Sequence, residues 1–506
     1  MRNDSDLHRH RASWLAAVPL LALGTKRITG VWRRRRSTAS PRPQSHPSHS
    51  GGQPALLCIS QSFWPDTTPT AIRASKLLEK LSAQWDIAVV TEANAPSRRG
   101  RVHIEVVRSW RPGRLFAALR RLRLSKLLEI AIWPDDSVFW VLPAILAGRR
   151  LIRETAPSAI VVFMMPYSAG LAGIALSKLT GLPLILNLDD SPTCTDMHPY
   201  FPTRLHYRCA KALEDFYARY ADAVVYVSET NLDAVRSRQP EHARQRFHLV
   251  RYGADRADFR PQPTSAGGFE IAYVGAMTGW RTLIEQHASA GRLRRIYDAW
   301  SRLGRYERIA LDQRTSSPAI IGRAIIDAIA EHRDWAGRVN MTIYGNPYPA
   351  SVVARALAYA RVESVVTVLG PVPHDEVADI LCRADLLFLA LPRRPDGSPG
   401  GRISAKTYEY LMTDRPILAA LPQGENWNYL TDKPGVWLVE PDDQQRMTEI
   451  IAELAAAKFA GRPRTFDRDH LQEQLSYETR AAELATAVRA GIERRLSGDP
   501  ARHRRL

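Results

Sequence analysis

The sequence predicts an α/β protein made of two Rossmann-like domains that face each other across a cleft. Short apolar runs of strand length recur along the chain, and helix-period stretches separate them. The alternation halts at a polar segment carrying Pro261 and Pro263, then starts again. In the first half, strands are expected at 55–60, 86–91, 159–164, 184–188 and 223–227, with helices at 71–81, 169–180 and 204–220. These runs are apolar on both faces, as strands of a parallel sheet covered by helices must be. In the second half, strands are expected at 269–274, 339–344, 365–369, 385–389 and 417–420. A chain of 506 residues is too long for one domain of roughly 100–200 residues. The expected division is a basic tail over 1–52, a first domain over 53–262 and a second over 263–460. A helical segment over 461–493 follows, its pattern at 471–492 long enough to cross back, and a basic tail fills 494–506. Residues 282–318 form a polar, Arg-rich insertion with no assignable chemistry.

Hydrophobic residues make up 45% and charged residues 24%, the balance of a soluble globular protein. That excludes a disordered chain, a collagen-like fibre and a polytopic membrane protein. Four scattered cysteines without a CxxC or Cys/His cluster exclude a zinc or disulfide framework and fit a reducing cytoplasm. The net charge of +18 is concentrated in the tails: 1–52 carry +8 and 494–506 carry +4, leaving +6 for the 441 residues between. A basic domain surface of the nucleic-acid-binding kind is therefore not expected. The apolar run 14–24 contains Pro19 and falls well short of the ~20 residues of a spanning helix. It leads into Lys26, Arg27 and Arg33 to Arg36 without a small-residue cleavage site. The expectation is a basic membrane-tethering tail or a start codon placed too far upstream, ahead of an export signal. Asp4-Ser5-Asp6 and Asp467-Arg468-Asp469 fit a DxD pattern, but neither follows a strand entering a cleft, so no metal site is expected.

The stretch richest in chemistry is the Gly-rich run 397–404 and the helical pattern after it. Ser404 is a good N-cap for a helix of about two to three turns. The free N–H groups and positive dipole end of such a start suit a phosphate, and glycines let backbone come close to it. Lys406 adds a full charge. Glu409, three residues on, projects from the same face, and a carboxylate there can accept two hydrogen bonds from a ribose diol. Together these describe a seat for a nucleoside diphosphate. The same two side chains also suit a surface ion pair of about 0.2–0.5 kcal/mol, and spacing alone does not separate the readings.

Residues 405–418, AKTYEYLMTDRPIL, resemble the K-x-x-E-Y-L-x-x-x-x-P-I-L signature of GT-B glycosyltransferases of the family-four type. Other segments resemble that family in the same order: CISQSFWPD at 58–66, YGADRADFRP at 252–261, YVG at 273–275, GNP at 345–347 and GPVP at 370–373. The likeness spans nearly all of 54–455. It implies a GT-B fold and transfer of a sugar from a nucleotide-sugar donor held by the second domain, with the acceptor mainly on the first. Carried over by position, Glu409 matches the ribose-binding Glu and Lys406 a phosphate contact that acts on the leaving group. Gly275 matches the glycine whose backbone nears the donor, and Asn346 and Pro373 lie in loops flanking the base. Arg281 is the nearest cation after Gly275 and a candidate for the pyrophosphate, with a solvated arginine as the open alternative.

The chain departs from the family pattern at Gly401, where an earlier Glu stands eight positions before the later one. A carboxylate contact to the donor sugar is thus missing, and Gly401 is left with backbone to offer. Met165-Pro166-Tyr167-Ser168 stands near the place of a frequent histidine. Asp189 and Asp190, ending a strand, are the carboxylates expected to face the cleft and to orient or deprotonate the acceptor. Capping of the loop at Ser191-Pro192 is the other reading open for them.

Residues 108–128 hold seven Arg/Lys and no acid, interleaved with Trp110 and leucines. A basic amphipathic helix here suits an anionic membrane surface, with Trp110, Arg111, Arg120, Arg121 and Arg123 as contacts. A helix packed on the sheet with its basic face in water fits the same pattern. The combined expectation is a cytoplasmic, peripherally membrane-associated glycosyltransferase using a UDP- or GDP-sugar as co-substrate, with no other cofactor. It would be retaining and metal-independent, act on a cell-envelope or lipid-linked glycan acceptor, and bind no nucleic acid. A sugar-nucleotide 2-epimerase of the same fold, or a degenerate transferase serving as a binding partner, are the alternatives.

Overall fold

The computed structural model describes residues 53–264, 267–275, 277, 279, 292–346 and 348–498. Arg281 and the tail segments 1–52 and 499–506 lie outside them. Sixteen strands are found among the described residues, and in chain order they are β1 Ala55–Ile59, β2 Asp86–Thr91, β3 Arg98–Arg99, β4 Val102–Val106, β5 Ala159–Phe163, β6 Leu184–Leu188, β7 Tyr200–Phe201, β8 Ala223–Tyr226, β9 Phe247–Leu249, β10 Phe269–Val274, β11 Tyr306–Glu307, β12 Val339–Tyr344, β13 Val366–Leu369, β14 Leu386–Ala390, β15 Ile417–Ala420 and β16 Val436–Val439. The first sheet runs β3-β4-β2-β1-β5-β6-β8-β9 and the second β13-β12-β10-β14-β15-β16. Every pairing in the two sheets is parallel except β3 with β4. The strand order reverses beside β1 in one sheet and beside β10 in the other. Crevices open at such reversals, outside the carboxyl ends of the strands, and ligands of open α/β sheets bind there.

Central strands such as β5 (AIVVF) and β14 (LLFLA) are buried along their whole length, which is why apolar runs marked them. Of the strands that no apolar run marked, β3, β4, β9 and β16 lie at or next to the sheet edges, and β7 and β11 pair in a two-stranded sheet of their own. The C-terminal pattern at 471–492 breaks in two. Helix Asp469–Leu475 ends at Ser476, which is extended and caps the next helix, Tyr477–Leu496. The long helix packs Tyr477, Ala481, Leu484 and Val488 into the core of the first sheet. It also runs through Arg494 and Arg495, which the sequence places in the tail; Arg495 donates to the Leu182 carbonyl at 2.7 Å. The chain therefore crosses between the halves twice, near 250–254 and near 475–477. The crossings touch: Ala254 N–H donates to Leu475 O, and a Cβ on Gly253 would come within 2.9 Å of that oxygen.

Beside the crossings lies a fully buried cation. Arg73 has no exposed surface, donates to Asp189 Oδ1 at 2.9 Å and to the Val250 carbonyl at 2.9 Å, and lies over the Tyr252 ring. Removing one partner of a buried pair strands the other charge, at about 3–5 kcal/mol, whereas neutralising both avoids it. Arg73→Met should therefore lose stability of that order in urea unfolding, and the Arg73→Met/Asp189→Asn double variant should regain part of it.

Candidate active site

β10 ends at the reversal of the second sheet, and Gly275 follows with φ +113°, a conformation that side chains resist. Its N–H donates to Tyr344 O. A Cβ on Gly275 would lie 2.7 Å from Lys406 Cε, so glycine is required for the lysine to lie where it does. Lys406 Nζ stands 5.2 Å from the centre of the Tyr273 ring. Helix Ala405–Leu411 carries Lys406 and Glu409, both half-buried, to the same end of the sheet. Two residues 131 positions apart in the chain, Gly275 and Lys406, are thus in contact at the crevice.

Other residues expected here are placed differently. The helix is seven residues long, about two turns, and Ser404 occupies its N-cap without a side-chain capping bond. Asn346 spends its side chain on its own loop: Nδ2 donates to Tyr348 O at 2.9 Å and Oδ1 accepts from Tyr348 N–H. A direct donor contact is not what those atoms are doing. Pro373 is exposed at the N-cap of helix His374–Arg383.

Gly401 needs a larger correction. It is buried against the first domain, its N–H donating to Asp196 Oδ2 at 3.2 Å and its carbonyl accepting from Ser228 Oγ at 3.3 Å. Gly400 pairs with Gly424, whose Cβ would stand 2.3 Å from Gly400 O. The close approach of the two loops requires glycine at 424, whereas a Cβ at 400 or 401 would meet its neighbours at an ordinary 3.6 Å.

The cleft is bridged by two carboxylates that no sequence pattern marked. Glu425, from the second domain, accepts from Glu229 N–H at 2.7 Å, Thr230 N–H at 3.2 Å and Ser228 Oγ at 2.5 Å, which start helix Glu229–Arg236 in the first domain. Arg251 NH1 donates to it at 2.9 Å. Asp196, from the first domain, pairs with Arg394 of the second at 2.5 Å. These partners lie 170–200 residues apart in sequence, beyond the reach of local spacing.

Of the two candidate bases, Asp189 is corrected to a framework group. One oxygen accepts from Arg73 and the other from the Tyr252 hydroxyl at 3.0 Å, and the residue is buried. Asp190 is half-buried, with Oδ1 accepting from the Thr195 hydroxyl at 2.9 Å. Burial pushes its pKa up to about 6, against the opposing pull of Thr195 and Arg402. His198, in the same loop, is driven down to about 3 by burial and by Arg308 and Arg402. The loop that replaces the frequent histidine is pinned by Asp135, which accepts from Ser168 N–H at 2.9 Å and Ser168 Oγ at 2.6 Å.

The basic stretch is not one helix. It splits into Gly113–Arg121 and Ser125–Ala131 at Arg123, whose φ is +59°. Phe116 is buried, while Trp110 and Leu122 are exposed to 61% and 67%. Arg111 is tied to Asp136 at 2.8 Å and lies over Phe116, so it anchors the turn and is not free for a surface contact. Arg120, Arg121 and Arg123 are exposed, Arg123 lying 6.0 Å from the Tyr297 ring of the insertion. The insertion itself ties to the first domain: β11 pairs with β7, and Lys126 Nζ donates to Trp300 O at 2.7 Å and to Leu303 O. Among the described residues no helix is long and apolar enough to cross a membrane, and no group of three or more His, Cys, Asp or Glu could hold a metal.

Residues 70–253 match the family model of the glycosyl transferase 4-like domain. Sucrose-phosphate synthase from Thermosynechococcus elongatus superposes with a TM-score of 0.55 at 13% identity, over 87% of this chain and 98% of that one. HepE from Anabaena, solved with UDP-glucose, gives 0.52 at 14% identity over 86% and 99%. A trehalose-phosphate synthase (UDP-forming) from Burkholderia vietnamiensis gives 0.51 at 12% identity over 90% and 97%. No curated protein sequence matches the chain. The fold shared with these structures is GT-B.

The raised pKa of Asp190 has a consequence for stability. Between its ordinary value of 3.8 and about 6, the folded chain binds more protons at this group than the unfolded chain. Its contribution therefore opposes folding above pH 6 and fades as pH falls through that window. Asp190→Asn should melt at a higher temperature than the parent at pH 8, and the gap should close by pH 4.

Proposed function

We propose that this chain, which has the GT-B fold and a glycosyl transferase 4-like region at residues 70–253, is a glycosyltransferase that moves a sugar from a UDP- or GDP-sugar to a cell-envelope or lipid-linked glycan acceptor, with retention and without a metal. The observation that carries the reading is the contact of Lys406 with Gly275 at the reversal of the second sheet, with Glu409 on the same short helix. Support for the donor class comes from HepE, whose structure holds UDP-glucose.

In this reading the Glu409 carboxylate takes the ribose hydroxyls. Lys406 and backbone N–H groups near Gly275 meet the charge of the diphosphate, the part an ion would otherwise play. The bond from the anomeric carbon to the phosphate oxygen breaks as the bond to the acceptor oxygen forms. The diphosphate departs with the electron pair, and Asp190 receives the acceptor's proton. Arg281 keeps its proposed place at the pyrophosphate on sequence position alone.

The membrane-facing part of the proposal rests on Trp110, Leu115 and Leu122, exposed among Arg114, Arg120 and Arg121 in a stretch without acids. Each basic residue near an anionic surface contributes about 1 kcal/mol. The surface we assign is the inner face of the membrane, reached from the cytoplasm.

Glu409→Ala should weaken UDP or GDP binding at least about tenfold in calorimetry while leaving the circular dichroism spectrum intact, as expected for charge-assisted hydrogen bonds of about 1.5–3 kcal/mol. Wild-type affinity in that variant rejects the ribose assignment. Lys406→Ala should lower kcat more than it raises KM for the donor. If Asp190 takes the proton, the rate should fall on the acid side with a midpoint near pH 6, and Asp190→Asn should abolish that limb. Co-sedimentation with phosphatidylglycerol vesicles, lost on Leu122→Glu and absent with phosphatidylcholine, is the result expected for the surface.

A further inference from the structure

Next to the helix that carries Lys406 and Glu409 is a recess of about 10 Å³, lined by Asp196, Gly400, Arg402, Pro422, Gly424 and Asn426. That is room for about one water-sized group, such as a single hydroxyl. Its walls come from the loops after β14 and β15, at the carboxyl ends of the second sheet, and from one residue of the facing domain. Asn426 is only 3% exposed, yet its side chain is half satisfied. Oδ1 accepts from the Thr407 hydroxyl at 2.9 Å, and Nδ2 has no hydrogen-bond partner among the described residues. Turning the amide over exchanges the two atoms but still leaves one without a partner. A buried amide group left unpaired is costly, and most such groups in folded proteins are bonded to something.

Asp196 lines the same recess. Its oxygens already hold Arg394 and the Gly401 N–H, but a carboxylate has about four acceptor sites, so capacity remains for a hydroxyl. Gly401, which lacks the side-chain carboxylate, thus has one delivered to its backbone from across the cleft. Resting on the donor reading above, we infer that this recess takes one hydroxyl of the donor sugar, recognised by the Asn426 amide and the Asp196 carboxylate that line it. A hydroxyl both donates and accepts, which matches one amide and one carboxylate in a single small space. Recognition of the sugar is then shared between the domains, so the nucleotide can bind to the second domain alone while the sugar is read only when Asp196 is in place.

The test compares nucleotide with nucleotide sugar by calorimetry: UDP against UDP-glucose and UDP-galactose, and GDP against GDP-mannose. Asn426→Ala should weaken the best nucleotide sugar roughly 3- to 10-fold, the worth of one neutral hydrogen bond, and leave its parent nucleotide unchanged. Asp196→Asn, which keeps the size of the side chain, should act in the same direction. Equal weakening of sugar and parent nucleotide, or no weakening of either, overturns the inference. Should Asn426→Ala melt early, Asp196→Asn and Asn426→Asp carry the same comparison. A wild-type chain that binds no nucleotide and no nucleotide sugar rejects the donor reading itself, which is a different result from wild-type binding that the variants leave untouched.

Discussion

Each half of this molecule lends the other a carboxylate. Glu425 crosses from the second domain to receive the first N–H groups of helix Glu229–Arg236, and Asp196 crosses from the first to hold Gly401 N–H and Arg394. Helix starts leave donors without intrahelical partners, and the helix dipole adds positive potential there. An anion brought from the other domain answers both at once. The cost of withdrawing it falls on both sides, because the N–H groups and the carboxylate would each need new partners. The geometry of the cleft, and with it the distance between any donor and acceptor it holds, depends on these two crossings more than on the apolar cores, which lie within the separate sheets.

Behind the carboxylates stands a buried polar strut. Arg73 joins helix Pro69–Leu81 to Asp189 at the end of β6 and to Val250 at the first crossing of the chain. Tyr252 then carries the link onward, bonding Asp189 and stacking 6.3 Å from Tyr408, the residue between Thr407 and Glu409. One chain of contacts therefore runs from the middle of the first sheet to the helix of the second that bears Lys406. An intact buried pair of this kind adds little net stability, but breaking it strands a charge away from water.

Much of the fold could be read from the residues. Strands such as β2, β6, β10, β12 and β15 fall where apolar runs placed them, because central parallel strands are buried on both faces and leave no polar alternation to confuse the reading. β4, one strand in from the edge, and the edge strand β9 escaped for the opposite reason: one is mixed in polarity and the other three residues long. The break at Ser476 was invisible to periodicity, since the apolar spacing continues through it and only the bridge to Ala254 demands extended backbone. At the site, Lys406 and Glu409 were legible because they are close in sequence and helix geometry relates them. Asp189 misled because a strand-end aspartate looks the same whether it faces solvent or a buried arginine 116 residues away. Asp196, Glu425 and Asn426 gave no sign, their partners being set by the packing of domains.

Gly275 and Lys406 meet so closely that a side chain at 275 would have to displace the end of the lysine. A methyl group at 275 would meet Lys406 Cε at 2.7 Å, so the flexible end of the lysine would have to swing away from the glycine it now lies against. A smaller residue at 406 frees the space and removes the steric reason for glycine, leaving only the positive φ to favour it. With or without the lysine, the backbone angle alone keeps glycine favoured at 275, while the lysine keeps the freedom to swing towards or away from it.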